Sequence, residues 1–550
     1  MFVDNGGASQ KKLFTVEQDM SEKLKTKLRA HWSNAFFKMV FLQIDEHVFS
    51  PLYCLNNGRP NFPINVLVSL EILKELLQLT DEALFERYYF DVSFRRALGI
   101  DTLYEPVCAQ RTLYHFRSAV AQYERETGEN LLESVFFKFR DVIIEEVGIK
   151  TEIQRTDSTL VGSNIKKLSR LMLFHKTLAM LARDMQKTGI SIDSKIEAIL
   201  GEDEDHFVYR MKHSEYGEAI EKIARYVYRL VSSHRGNKRI CERESYKNAE
   251  RLLAQQCEIT KKKKVLIKDS SEVRASSMQN PADPDATYRK KNNTPHVGYA
   301  AHAVETCHEE NPMQVVMDVS VVPNSVDDAA VLASKIGEYK EKHNLETMVT
   351  DGGFVSDETR ARCAEHEVML VSSAIRGRAA RSDESHFTSN DFLCDEQTGE
   401  ILRCPMGQRP RKVSVSGTTS VANFDPATCA KCKKRKKCPA PVSPTQSRYV
   451  IDDRRRWLDQ RIKLLQTEEY QKLLRMRPPI EGLMSQLKPK YLNGRIRFRR
   501  IEKVRTRMIL RAIGINFKRY WAYTLNTLSN FITQIFFPWI LVPKMRLCMI

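Results

Sequence analysis

The chain has 550 residues, 42% of them hydrophobic and 28% charged, and its 87 Lys and Arg outnumber 69 Asp and Glu to leave a formal charge of +18. With a mean hydropathy of −0.42, that composition excludes a collagenous, wholly disordered or membrane-embedded polypeptide and fits a globular protein of about two to four domains. The basic excess points to a polyanionic partner. The opening "MFVDNGGASQKKLF" has no apolar core or small-residue cleavage site behind its lysines, so no secretory signal is expected and the compartment it implies is cytoplasmic. The twelve cysteines are accordingly expected to be reduced, metal-bound or buried.

Residues 1–146 read as an all-helical domain suited to DNA binding or dimerisation. "PINVLVSLEILKELLQL" has apolar residues at helical spacing, Thr80 caps "DEALFERYYF", and Thr112 is expected to cap "LYHFRSAV". Near residue 148 the period changes, and "VGIKTEIQRTDSTLVG" reads as a strand running just past Asp157. Amphipathic helices and a polar loop at about 166–290 read as an insertion. "VGYAAHAVET" and "MQVVMDVSVV" then form an antiparallel hairpin, and Ser325 with Asp328 forms a capping box ahead of "AAVLASKIGEYKEKH". "LETMVTDGGF" is a strand ending at Asp351, followed by a helix begun near Ser356 and the strand "EVMLV". A second insertion, at about 375–452, is basic and cysteine-bearing, and long helices follow it. The apolar stretch 520–543, within a tail at 520–550, is uncharged and about span-length. Asn526, Ser529, Asn530 and Gln534 interrupt it and Pro538 would break its helix, so no membrane partner is expected.

From Arg475 to Arg519 the chain holds 14 Lys or Arg against Glu481 and Glu502, a local excess of 12. Such density calls for a phosphate backbone as counter-ion, and a carboxylate inside it is awkward unless a cation sits on it. Asp157 and Asp351 lie at strand ends and Glu481 on a following helix. Three carboxylates so placed can hold two Mg²⁺ ions, or Mn²⁺, for phosphoryl transfer. A plain turn or cap role for each aspartate is the competing reading.

The ordered set "TDST" (156–159), "DPDA" (283–286) with "PHVGYAAHAV", "TDGGF" (350–354), and "IEGLMSQLK" with "GRIRFRRIEKVRTRMILRAIGINFKR" resembles the DDE transposases of bacterial insertion sequences, and within them insertion-sequence family 1182, related to families 4 and 5. The resemblance runs over roughly 60–519. It implies an α/β fold: an RNase H-like catalytic domain at 147–519, a mixed sheet flanked by helices, interrupted by the two insertions and preceded by the all-α domain. It puts the catalytic, metal-binding acids on Asp157, Asp351 and Glu481. The family's Tyr, Arg, Glu, Lys signature falls on Leu474, Arg477, Glu481 and Lys488, so a leucine stands at the tyrosine position. The implied activity is metal-dependent cleavage and strand transfer of double-stranded DNA, at terminal inverted repeats and at a target, by a homodimer in the cytoplasm, at the nucleoid in a bacterium. DNA contacts are expected from Arg477, Lys488, Arg495, Arg497, Arg499, Arg500 and Lys503. The alternatives are a catalytically silent DNA-binding derivative and an RNase H-like nuclease without strand transfer.

"LRCPMG" and "CAKCKKRKKCP" supply Cys404, Cys429, Cys432 and Cys438, a donor set for one structural Zn²⁺, with Cys394 as a possible substitute. Free cysteines in a basic loop are the competing reading.

Overall fold

The computed structural model describes all residues except 7–14, 55–56, 103–104, 202–203, 373, 376–377, 380–386, 396, 490–493 and 537–550. In chain order its main elements are helices α1 (Ile64–Leu77), α2 (Asp81–Phe90), α3 (Gln110–Thr127) and α4 (Leu131–Val147), strand β1 (Ile153–Gly162), and helices α5 (Arg170–Lys187), α6 (Tyr216–Ser233) and α7 (Glu244–Gln256). Strands β2 (Thr287–Lys291), β3 (Thr294–Thr306) and β4 (Val316–Pro323) follow, then α8 (Asp328–His343), β5 (Thr347–Thr350), α9 (Asp357–Glu365) and β6 (Met369–Ser372). The last are β7 (Lys412–Ser416), β8 (Thr419–Phe424), β9 (Ser447–Ile451), α10 (Asp453–Leu464), α11 (Glu468–Arg475), α12 (Ile480–Leu487) and α13 (Ile501–Phe536).

These elements make a mixed sheet with strand order β2-β3-β1-β5-β6, β4 also pairing β3. Pairing is antiparallel for β2–β3 and β3–β4, and parallel for β1–β5 and β5–β6. The chain divides into two compact units: residues 1–151, 156–327 and 481–550, and residues 152–155 and 328–480.

In the first unit α1 is buried nearly all round, its apolar residues joined inside by Glu71, Lys74 and Glu75. Thr80 caps α2 by accepting the Ala83 amide at 3.1 Å. Thr112 caps nothing: α3 already starts at Gln110 behind Ala109, and the Thr112 amide donates to the Ala109 carbonyl. Helices α5, α6 and α7 form their own core around Phe174, Leu181, Val227, Tyr246 and Leu252. Helix α13 comes so close to α1 that a Cβ on Gly514 would stand 3.2 Å from the Leu76 Cα. Its arginines are spent inside the fold. Arg507 pairs with Glu71 and Glu75, Arg511 with Glu75 at 3.0 Å, Arg505 with Glu124, and Arg519 with Glu305 of β3 at 2.7 Å. Asn516 exchanges two hydrogen bonds with the backbone of Val316 at the start of β4.

In the second unit Ile153, Gln154 and Arg155 pair with Thr347, Met348 and Val349 of β5, and Thr347–Thr350 pair with Met369–Ser372 of β6. Ser356 caps α9 through the Thr359 amide. Ser325 lies in a turn three residues ahead of α8 and does not start it. Strands β7, β8 and β9 form a three-stranded antiparallel sheet over a small core of Phe392, Ile401, Phe424 and Tyr449. Among the described residues no helix is long and apolar enough to cross a membrane. The membrane and tail expectations for residues 537–550, Pro538 included, lie outside the described residues.

Candidate active site and nucleic-acid interface

Asp157 belongs to the first unit, where β1 runs beside β3. Thr156 donates to the Ala303 carbonyl at 3.1 Å, and Gly298 of β3 approaches so closely that a Cβ there would stand 2.3 Å from the Val161 carbonyl oxygen. Only glycine fits that contact. Asp157 is half-buried, and its Oδ1 accepts the Ser158 amide at 2.7 Å. Arg155 and Asp157, two residues apart, share one face of the strand.

Asp351 belongs to the second unit and follows β5 directly. Its Oδ1 accepts the Gly353 amide at 2.8 Å, which turns the chain away and leaves Oδ2 for Arg477 at 3.8 Å. Arg477 sits between α11 and α12, off the helical face that carries Glu481, because Pro478 and Pro479 stop α11 and a new helix begins at Ile480. The Ile480 amide closes that turn on the Arg477 carbonyl at 3.1 Å. One residue before Arg477, the carbonyl of Met476 accepts a hydrogen bond from Arg155, a guanidinium only 6% exposed. This arginine was missed in the sequence; a basic residue inside a strand, two places ahead of an acid, is the signal that could have found it.

Glu481 lies in the first turn of α12, where the helix dipole favours an acid. It is exposed, while Ile480, Leu483 and Leu487 bury the opposite side. Lys488, just past the helix end, is exposed too. At Leu474 no hydroxyl is available, and Tyr470 one turn earlier does not replace it: that ring is buried and its hydroxyl takes the Ser372 amide at 3.2 Å.

The expected DNA-contacting residues divide. Arg495, Arg497 and Arg499 are exposed. Their segment lies along the end of β1: Arg495 bridges Gly162, the Ile496 amide donates to the Gly162 carbonyl at 2.8 Å, and Arg499 Nε donates to the Asn164 carbonyl at 2.8 Å. Arg500 pairs with Glu244 at 2.5 Å, and Lys503 is half-buried. Beneath this segment Asp283 accepts from Ser163, Tyr299 and the Arg500 amide, so the "DPDA" acid is a structural clasp. Burial raises its pKa against those donors.

Cys404, Cys429, Cys432 and Cys438 all line one cavity in the second unit. Burial raises the Cys438 thiol, the Ala440 amide opposes that shift, and Cys429 and Cys404 are near enough to add to it. Cys394 packs on the same small core but is not among the residues that line the cavity. Among the described residues no group of three or more His, Cys, Asp or Glu side chains is gathered closely enough to hold a metal ion.

Two protein-family models match the chain: one described as a transposase DDE domain over residues 403–521, the other as a transposase domain (DUF772) over residues 26–119. The first takes in Glu481, the basic segment after it and the four cavity cysteines; Asp157 and Asp351 lie outside both. Nothing matches among curated proteins or among solved structures. Both matches are to transposase domains and support a DDE transposase.

Proposed function

We propose that the protein is a DDE transposase of the kind carried by insertion-sequence family 1182, which binds the terminal inverted repeats of its element and cuts and joins DNA strands with Asp157, Asp351 and Glu481. The observation that carries this reading is a pair of contacts in the second unit, Arg155 to Met476 and Arg477 to Asp351. Their partners are Asp351 itself and residues two places before Asp157 and four and five before Glu481, so segments far apart in sequence are tied together next to the acids. The strand order supports an RNase H-like domain: leaving out β2, it runs β4-β3-β1-β5-β6, with β3 antiparallel to β4 and β1, β5 and β6 parallel.

Three carboxylates are the oxygen-donor chemistry that Mg²⁺ or Mn²⁺ takes. Two such ions, when bound, polarise the attacking and leaving oxygens of an in-line phosphoryl transfer. The chain's own work is to hold the acids and the DNA. Arg477 restrains Asp351, and the exposed arginines at 495–499 hold the phosphate backbone. Assembly on two element ends makes a homodimer, working in the cytoplasm, at the nucleoid of a bacterial cell. Leu474 favours one competing reading, a silent DNA-binding derivative.

Purified protein incubated with a duplex carrying the element's end, with Mg²⁺ or EDTA, tests the reading. Nicking at the repeat boundary that needs Mg²⁺ and falls below detection in Asp351→Ala and Glu481→Ala, with duplex binding retained, is the expected result. Binding without cleavage in Mg²⁺ or Mn²⁺ would select the silent derivative; cleavage without joining would select a nuclease.

The thiols of Cys404, Cys429, Cys432 and Cys438 are the donor chemistry of a structural Zn²⁺ site and line one cavity without being gathered to metal-binding distance; a bound ion would draw them together and brace the "KKRKK" loop. Metal analysis should return zinc with the native chain and none with Cys432→Ser/Cys438→Ser. Native protein free of zinc, with a melting curve indifferent to chelator, would rule the site out.

A further inference from the structure

We infer that the β2–β3 hairpin, with Lys167 and Lys488, is a clamp for the sugar-phosphate backbone of duplex DNA flanking the point of cleavage; the inference rests on the transposase reading. The hairpin carries Arg289, Lys290 and Lys291 on its first strand, paired with His296, Pro295 and Thr294 on the second. Asn292 and Asn293 both take positive φ, 48° and 60°, the tight two-residue turn whose twist suits paired strands. The tip is therefore stiff, and Lys290 and Lys291 are exposed on it.

The base of the hairpin is fixed to the end of β1. Val297 accepts the Ser163 amide at 3.1 Å, Gly298 abuts Val161 and Gly162, and Asn324 donates to the His296 carbonyl at 3.2 Å. Basic residues from three places thus gather at the end of β1: the hairpin, the turn after β1 with Lys167, and Arg495, Arg497 and Arg499. Burial lowers the His296 pKa, and the positive charges of Lys488, Lys291 and Lys167 lower it further.

The acids nearby are already committed. Asp205 pairs with Lys166, Asp285 with Arg251 at 3.2 Å, and Glu244 with Arg500. A converging set of ammonium groups on a stiff support fits a phosphate backbone and carries no base-specific donor pattern. From Asp157 to Gly162 the strand advances by roughly 17 Å at about 3.3 Å per residue, so the clamp stands away from the acid and grips DNA that flanks the phosphate attacked there.

Duplex affinity is measured between 50 and 200 mM salt for wild type and for Lys167→Ala/Lys290→Ala/Lys291→Ala, on an element-end duplex and an unrelated one. Each phosphate contact contributes about 0.9 to the slope of log affinity against log salt, so three lost contacts make the slope shallower by about 2.7. Over that fourfold salt range the variant then loses about fortyfold less affinity than wild type, equally on both duplexes. Protection of the backbone flanking the boundary should vanish with it. Lys290→Gln/Lys291→Gln, which changes only the exposed tip, gives the same direction at about two-thirds the size if the triple variant does not fold. Wild-type slope and protection in folded variants would overturn the clamp and leave the transposase reading standing. Wild type that binds no duplex would overturn both.

Discussion

The arginines at 495–499 and those of α13 come from one basic run, yet the fold treats them oppositely. The first group stays exposed along the end of β1. The second is turned inward: Arg507 and Arg511 are 2% and 3% exposed and neutralised by Glu71 and Glu75, which are themselves buried. The local excess of 12 positive charges is thus partly answered by acids more than 350 residues earlier in the chain. Charge density in a sequence does not separate a ligand-binding surface from an internal ion-pair lattice; the location of the opposing carboxylates does.

The sharpest way to break this comparison is Arg507→Ala, which removes the cation shared by buried Glu71 and Glu75 and leaves them only their pairs with Arg117 and Arg511. Glu71 stands below the usual carboxylate range: burial alone would raise it, and Arg507, Arg117 and Lys74 outweigh that. Removing one partner of such a pair should cost about 3–5 kcal/mol, read as a lowered urea midpoint; an unchanged midpoint would mean that the lattice contributes nothing. A smaller effect is expected at Glu124. Burial and then Glu502 push it up, Arg505 opposes them, and it reaches about 7 from 4.5. Between those values the unfolded chain has lost a proton that the folded chain keeps. Stability should therefore fall by up to about 3 kcal/mol as pH rises from 4.5 to 7 and change no further on this account above it. Glu124→Gln should flatten that part of the profile. The smallest stability change belongs to Arg495→Ala/Arg497→Ala, within about 0.5 kcal/mol. Its signature lies in duplex binding, with a salt slope shallower by about 1.8; a large loss of stability instead would erase the distinction between the two groups.

Features governed by neighbours in sequence were legible. The Thr80 cap, strand β1 and the β3–β4 hairpin all follow from local signals. Thr112 shows the limit of such signals, since the helix starts two residues earlier without any side-chain cap. The position of Asp351 just past a strand was legible as well, by the change of period; Asp157, expected at a strand end, lies instead in the middle of β1, five residues before Gly162. The Arg155–Met476 and Arg477–Asp351 contacts were not, because nothing in a local pattern specifies a partner 321 residues away. The same holds for the α13 ion pairs: their arginines read as one continuous DNA-facing run until the helices carrying Glu71, Glu75 and Glu124 are packed against them.

The pairing of Glu71 with Arg507 also imposes an order in time. The two residues are 436 positions apart, so at about 5–20 residues per second the ribosome needs roughly 20–90 s to deliver the second after the first. Throughout that interval Glu71 has only Arg117 and Lys74 to answer it and Glu75 lacks both Arg507 and Arg511, so the early helices are without part of their final ion pairing. The last element to emerge is the one that closes the first, and a chain released before α13 is complete should be recognised as unfinished by the cell's proteases.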